Sequence, residues 1–280
     1  MKLVKAFSSG LVRARHSIKP LIIIWIINLM AISLVAGPFQ RFITTSVGNS
    51  NAAQMIKEGF NINFWADLGP GLIPAISSLA SGVLLLILIL FFINIFLTGG
   101  LFDSLRENSR RYMTGNFFKS SAKLFFAYLL ATLLVMFMIL FFGGLVIGVP
   151  IIISRASDGD GLTTLVKISS IIFILSIPIF LLIIDYARAW LSANGPSKVF
   201  RAIAYGFKAT FSGFISSYLF MLLMMAIQGG FVFLASKLLS FNPETGGGLL
   251  VLFLLSQVLL FIRLFSRAWR YGGVVAMYFT

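Results

Sequence analysis

The sequence predicts an all-α membrane protein: six transmembrane helices as three hairpins, each preceded by a basic amphipathic interfacial helix, with N- and C-terminus both inside. Three observations carry this. Of 280 residues, 59% are hydrophobic and 11% charged, against about 45–50% and 25% in soluble domains, so bilayer rather than water is the solvent. Six long apolar stretches divide the chain, and since one span takes about 20 apolar residues, six with short connections use most of its length. Finally, the net charge of +14 falls wholly on one set of connections.

Lys2, Lys5, Arg13, Arg15 and Lys19 occupy the N-terminal arm; Arg106, Arg110, Arg111, Lys119 and Lys123 follow the second stretch. Arg188, Lys198, Arg201 and Lys208 follow the fourth, and Arg263, Arg267 and Arg270 close the sixth. Only Asp103, Glu107 and Asp185 offset them. On the alternate connections Arg41, Lys57, Arg155, Lys167 and Lys237 are balanced one for one by Glu58, Asp67, Asp158, Asp160 and Glu244. Short loops rich in Lys and Arg stay cytoplasmic, which predicts a multi-pass protein of the inner (plasma) membrane with both termini cytoplasmic.

The arm, residues 1–19, places Leu3, Val4, Phe7, Leu11 and Val12 at helical spacing with Lys5, Arg13 and Arg15 at other angles, the pattern of a helix lying in the interface plane. The first span, Pro20–Val35, is read as uncleaved although a basic arm, an apolar run and Ala36-Gly37 imitate a secretory signal. The arm is long, Pro38 follows the would-be cleavage site, and further spans come after it. The second span, Ile73–Leu101, exceeds what the bilayer needs and is expected to tilt or protrude. Asn116–Lys123, with Phe117, Phe118 and Lys119, is a shorter amphipathic segment before the third span, Lys123–Val149. The fourth span, Ile168–Trp190, contains Pro178, which removes a backbone donor and predicts a kink. Val199–Phe211 repeats the design of the arm, with Phe200, Ile203, Ala204 and Phe207 as its stripe and Lys198, Arg201 and Lys208 beside it. It leads into the fifth span, Gly213–Leu238, and Leu249–Leu264 is the sixth. All six are helices, because an open sheet edge leaves backbone groups unsatisfied in lipid.

The chain is read as one polytopic membrane domain over 1–280, with residues 37–68 as an extracytoplasmic loop. That loop holds a short helix, Asn51–Glu58, capped by Ser50 and stopped at Gly59, then Phe60, Phe64 and Trp65 as an aromatic anchor. Asp158-Gly159-Asp160-Gly161 is a tight outer turn with too few oxygen ligands for calcium.

The amphipathic segments each precede an odd-numbered span, which points to an internal repeat. Lys5-Ala6-Phe7-Ser8-Ser9-Gly10-Leu11 lies over Arg201-Ala202-Ile203-Ala204-Tyr205-Gly206-Phe207. Ala187-Arg188-Ala189-Trp190 lies over Ser266-Arg267-Ala268-Trp269.

Charges at membrane depth are the first functional candidates. Asp185 and Arg188 are three apart and share a helix face, and Arg263 and Arg267 near the inner end of the sixth span are further candidates for a structural ion pair with Asp185. A proton- or cation-coupling carboxylate is the sharper alternative, but coupling chemistry usually lies nearer the midplane. Asn94, Gln228 and Gln257 are candidate cavity residues; with Asn28 and Ser256 they also suit interhelical hydrogen bonds worth about 0.6–2 kcal/mol each. Arg13, Arg15, Lys19, Lys198, Arg201 and Lys208 are candidate contacts for anionic lipid headgroups. The glycine pairs 99–100, 143–144 and 229–230 suit close packing or local unwinding.

Enzyme chemistry finds little support. There is no cysteine and one histidine, His16, in the arm, which removes thiolate chemistry and nearly every zinc site. No Ser–His or paired-aspartate arrangement, no aspartate cluster for metal-dependent phosphotransfer and no phosphate-cradling glycine loop occurs. No catalytic residue, metal or cofactor is expected, and the basic charge is spread along membrane edges, which argues for lipid rather than nucleic acid.

The run Asp185-Tyr186-Ala187-Arg188, the basic segment around Ala202 to Phe207, Arg263 in the last span, and Thr98-Gly99-Gly100-Leu101 with Asp103 together resemble a loose group of uncharacterised bacterial six-helix inner-membrane proteins. These are similar in style to the membrane domain attached to some glycerophosphodiester phosphodiesterases. The resemblance implies an architecture and no catalytic residues. The expectation is a non-enzymatic membrane protein acting by association, an accessory or scaffold subunit of an inner-membrane assembly, with membrane lipids and other membrane subunits as partners. The alternative is a transporter or lipid-handling protein for an anionic or amphiphilic small molecule.

Overall fold

The computed structural model describes residues 2–47, 72–107, 113–156, 160–239 and 246–279. Nine α-helices occupy them: α1 Lys2–His16, α2 Ile18–Val47, α3 Leu72–Glu107, α4 Thr114–Gly143, α5 Val149–Ala156, α6 Asp160–Asn194, α7 Val199–Ser212, α8 Phe214–Leu239 and α9 Gly246–Tyr278. A π-helical turn, Gly144–Gly148, joins α4 to α5.

Five segments are long and apolar enough to cross a membrane: Gly82–Glu107, Thr114–Ile153, Thr164–Asn194, Phe214–Leu238 and Leu250–Tyr278. A bent pair, Leu3–His16 with Ile18–Leu34 at 67°, makes a sixth if taken as one span. The described chain is therefore that of an α-helical, multi-pass membrane protein. The expected short helix Asn51–Glu58, the anchor Phe60, Phe64 and Trp65, and Arg110, Arg111 and Asp158-Gly159 lie outside the described residues.

The helices outrun the expected spans. α2 continues through Pro38 to Val47, so the segment expected as loop from residue 37 begins helical. Asn116–Lys123 is not a separate helix but the first turns of α4. The reason is one uninterrupted buried stripe, Phe117, Ser121, Leu124, Tyr128, Ala131 and Val135, whose alternating spacing of four and three carries a single helix across the expected boundary. α9 runs past Leu264 to Tyr278 because Val274, Val275 and Ala276 are themselves buried. This places Arg263, expected at the inner end of a span, at the middle of a helix. α6 runs unbroken through Pro178. It ends at Gly195, whose φ of +89° is the left-handed conformation that glycine adopts at helix termini.

The chain divides into two compact units, Ile24–Asn94, and Met1–Ile23 together with Ile95–Thr280. In the first, Asn94 Nδ2 on α3 donates to Asn28 Oδ1 on α2 at 3.1 Å, an amide bridge of the kind that joins spanning helices.

In the second, burial concentrates where α3, α6 and α9 end: Phe102, Leu105, Leu182, Ile183, Tyr186, Leu191, Tyr271 and Val274 are almost wholly enclosed. The separate helices expected at Met1–Lys19 and Val199–Phe211 exist as α1 and α7, and each turns back onto one of these ends. α7 lies on α6, where a Cβ on Gly206 would strike the carbonyl of Ile183. α1 lies on α9, where a Cβ on Gly10 would come to 2.7 Å of Gly273 N. Trp269 Nε1 donates to the Phe7 carbonyl at 2.8 Å there, with the Phe7 and Trp269 rings 4.4 Å apart. The first turns of α4 lie on α3 in the same way, Ser121 Oγ accepting the Gly100 N–H at 3.1 Å. Each basic segment thus meets the helix completed just before it, and α1 meets the last helix of the chain. Glycine is required at these crossings because any side chain would hold the backbones apart.

Candidate functional site

Asp185 stands in the last third of α6, wholly buried. Its Oδ1 is 3.5 Å from Arg188 Nη1 one helical turn on, and its Oδ2 is 3.1 Å from Arg270 Nε on α9. The Asp185–Arg188 pair agrees with the expected spacing. The partner across helices is Arg270, not Arg263 or Arg267 as expected. At 1.5 Å rise per residue Arg263 lies about 10 Å away from the level of Arg270, too far to reach. Arg267 takes another direction: its Nε donates to Tyr271 Oη at 2.8 Å and its Nη2 to Thr98 Oγ1 on α3 at 3.1 Å.

Around this ion pair the neighbouring groups form a connected layer. Tyr128 on α4 donates to the Arg188 carbonyl at 2.8 Å, Arg188 Nη2 donates to Thr132 Oγ1 at 3.0 Å, and Thr132 Oγ1 donates to the Tyr128 carbonyl at 2.5 Å. The Arg270 guanidinium lies 4.9 Å above the centre of the Tyr271 ring and that of Arg267 5.4 Å from it. The Phe102 and Tyr271 rings are 4.7 Å apart. Arginine suits such a layer because its weakly hydrated planar group both pairs with carboxylate and stacks on aromatic faces. One carboxylate against two guanidinium groups, enclosed on every side, is an arrangement that ties α6, α9 and α4 together. It offers no exposed acid or base to a substrate. Arg270 was the residue missed in the sequence; the signal was its spacing, seven from Arg263 and three from Arg267, which keeps all three arginines near one side of a helix.

The expected polar residues divide. Asn94 is bridged to Asn28 as above. Gln228 on α8 and Gln257 on α9 are half-buried, and Gln228 Nε2 and Gln257 Oε1 make no hydrogen bond among the described residues. The glycine pairs divide as well. A Cβ on Gly100 would meet Phe117 at 2.6 Å, and one on Gly143 would meet the Phe173 ring at 2.9 Å, whereas Gly144 opens the π turn. A Cβ on Gly229 or Gly230 would meet nothing within 4 Å among the described residues.

Of the basic residues expected to face headgroups, Arg15, Lys19, Lys198, Arg201 and Lys208 are exposed. Arg13 differs: its Nη1 donates to the Leu105 carbonyl at 2.6 Å and to that of Arg106 at 3.4 Å. That places a cation on the open carbonyls that end α3, where the helix dipole is negative. Asp103 accepts from Ser120 Oγ at 2.5 Å and pairs with Arg106 at 3.1 Å.

Three cavities accompany these elements. One of about 290 Å³ is edged by Asp103, Arg106, Lys119 and Lys123 between α3, α4 and the end of α6. A second of about 210 Å³ lies where α7 turns into α8 and is lined by Tyr186, Tyr205, Lys208 and Ser217. Burial, with Tyr278 adding to it, pushes the Tyr205 phenol up from its ordinary value, so it faces this space as a neutral hydroxyl. The third, about 320 Å³ between α8 and α9, is mainly apolar, with Ser236, Ser256 and, at one end, Arg263 as its polar members. No group of acidic, histidine or cysteine side chains able to hold a metal occurs among the described residues. Comparison with protein-family models, curated proteins and solved structures finds no match.

Proposed function

We propose that this chain is a non-enzymatic integral protein of the bacterial inner membrane, with both termini cytoplasmic, that serves as an accessory or scaffold subunit of a larger assembly. The observation that carries the reading is the uneven consolidation of its helices. Only 6% of the most apolar stretch of Leu250–Tyr278 and 11% of that of Thr114–Ile153 is buried within the described chain, while the ends of α3, α6 and α9 are enclosed and tied by the Asp185 layer. Exposed Phe126, Phe137, Phe141, Phe233 and Phe253 line the unburied lengths. Phenylalanine faces of this kind suit other helices, since association in lipid is driven by close van der Waals packing. Charge asymmetry supports the orientation, and the exposed Arg15, Lys19, Lys198, Arg201 and Lys208 on and beside α1 and α7 support contact with anionic headgroups on the cytoplasmic face.

Extraction in a mild detergent at native expression, followed by sizing and identification of co-purifying proteins, tests this. A stoichiometric complex that persists through purification is expected. A monodisperse single chain with no partner would overturn the accessory role. A second reading, handling of an anionic amphiphile, is favoured by the α8–α9 groove that ends at Arg263.

A further inference from the structure

Arg263 is the exposed cation at the centre of a spanning helix. It sits midway along α9, Gly246–Tyr278, and its guanidinium makes no hydrogen bond or ion pair among the described residues, in contrast to Arg267 and Arg270 on the following turns and to Arg188 on α6. The one acidic residue of the enclosed layer, Asp185, is already held between two arginines. A charge at this depth is costly unless paired, and such residues mark binding paths in membrane proteins. No described acidic residue pairs with Arg263, which leaves its guanidinium open to a counter-charge from another molecule.

The space beside it defines that molecule. Phe231, Ala235, Leu252, Leu259 and Leu260 wall a groove of about 320 Å³ that ends at Arg263. The hydroxyls of Ser236 and Ser256 in its wall are turned to the carbonyls of Phe233 and Phe253 on their own helices, so the guanidinium is left as the polar group a ligand can engage. This volume is at the lower end of small-ligand sites, about 300–1,000 Å³, and is narrow for a partner's helix, about 10 Å across.

We infer that the α8–α9 groove binds a single-chain anionic amphiphile, a long-chain carboxylate, whose head pairs with Arg263 and whose tail lies along Leu259, Leu260 and Leu252. The planar guanidinium fork matches a carboxylate with two parallel hydrogen bonds. Depth selects the carboxylate over a bilayer phospholipid. Arg263 lies near the midpoint of the apolar span Leu250–Tyr278, about 20 Å along the helix from one end and about 22 Å from the other, where half of a hydrocarbon core is about 15 Å. A phosphodiester stays ionised and remains with its headgroup layer. A carboxylic acid enters hydrocarbon neutral by taking up a proton, and releases it to solvent when the ion pair with Arg263 forms. The inference rests on the amphiphile-handling reading and is independent of the accessory role.

The test is equilibrium binding of radiolabelled oleate to the full chain in phosphatidylcholine nanodiscs, with empty discs as background. Saturable binding near one per chain is expected, weakened about tenfold or more in Arg263→Gln through loss of a charge-assisted pair. Ala235→Phe, which fills the groove and keeps the arginine, is expected to block it too, and covers the case in which Arg263→Gln does not fold. Oleate binding unchanged in both variants overturns the site. Displacement of oleate by phosphatidylglycerol in the disc at equal mole fraction overturns the choice of ligand in favour of a lipid phosphate. Absence of saturable binding to the chain alone overturns the proposal and leaves a partner's acidic residue as the counter-charge. Co-purification of partners is read in a separate experiment, so failure of either reading is seen by itself.

Discussion

Replacing Asp185 by Asn keeps the shape of the side chain and removes the charge that holds two buried guanidinium groups. With Arg270 Nε at 3.1 Å and Arg188 Nη1 at 3.5 Å, each attraction is about 5 kcal/mol at an effective dielectric of about 20. Most of that sum is offset by the cost of taking the carboxylate out of water. The net effect of removing one member of a buried pair is about 3–5 kcal/mol, because the remaining charges are left enclosed and uncompensated. The assay is thermal stability of the purified chain in detergent, read as the fraction monodisperse after heating, for Asp185→Asn, Arg270→Met and the double variant. Asp185→Asn is expected to be the least stable of the three. The double variant should recover part of the loss, since Arg270 no longer stands unpaired, giving a clear non-additive coupling. Full stability of Asp185→Asn, or strict additivity in the double variant, would falsify the view that this layer ties α6 to α9.

Gly206→Ala should destabilise the chain by about 1–3 kcal/mol through overpacking against α6, because its Cβ would strike the Ile183 carbonyl, whereas Gly229→Ala, with nothing nearby, should be neutral or stabilising by up to about 1 kcal/mol; equal melting of the two variants would refute the close crossing. Arg13→Ala should expose the last turn of α3, losing a charged hydrogen bond worth about 1.5–3 kcal/mol, and faster amide exchange over residues 101–107 is the measurement, with unchanged exchange counting against the cap. Because the chain has no cysteine, single substitutions report sidedness directly: Ser8→Cys and Asn194→Cys should react with impermeant maleimide only from the cytoplasmic side and Thr164→Cys only from the opposite side, and any other pattern overturns the orientation. Tyr128→Phe, which removes the bond to the Arg188 carbonyl, should cost about 1 kcal/mol in the same heating assay, and no loss would show that bond to be inessential.

Much of this was legible in the residues. The existence and place of α1 and α7 followed from apolar spacing beside Lys5, Arg13, Lys198 and Arg201, and the Asp185–Arg188 pair followed from a spacing of three. Helix ends were less legible, because nothing in Asn116–Lys123 distinguishes an independent helix from the opening turns of α4 until the buried stripe from Phe117 to Val135 is seen whole. The same holds for α9. The basic residues at its end read as a boundary, yet two of the three arginines are absorbed into contacts with Asp185, Tyr271 and Thr98.

By itself the sequence determined the solvent, the helical class and the approximate spans, since these depend on composition and on periods of a few residues. Tertiary structure decided which arginine meets Asp185, which glycines bear a crossing helix and that Arg263 faces the α8–α9 groove with no ion pair among the described residues. These depend on the level at which two helices lie side by side. A rise of 1.5 Å per residue makes Arg270 and Arg263 differ by about 10 Å relative to the same carboxylate. The close approaches of Gly10 to Gly273, across the length of the chain, and of Gly206 to Ile183 on the preceding helix are contacts of the same kind, which local spacing does not encode.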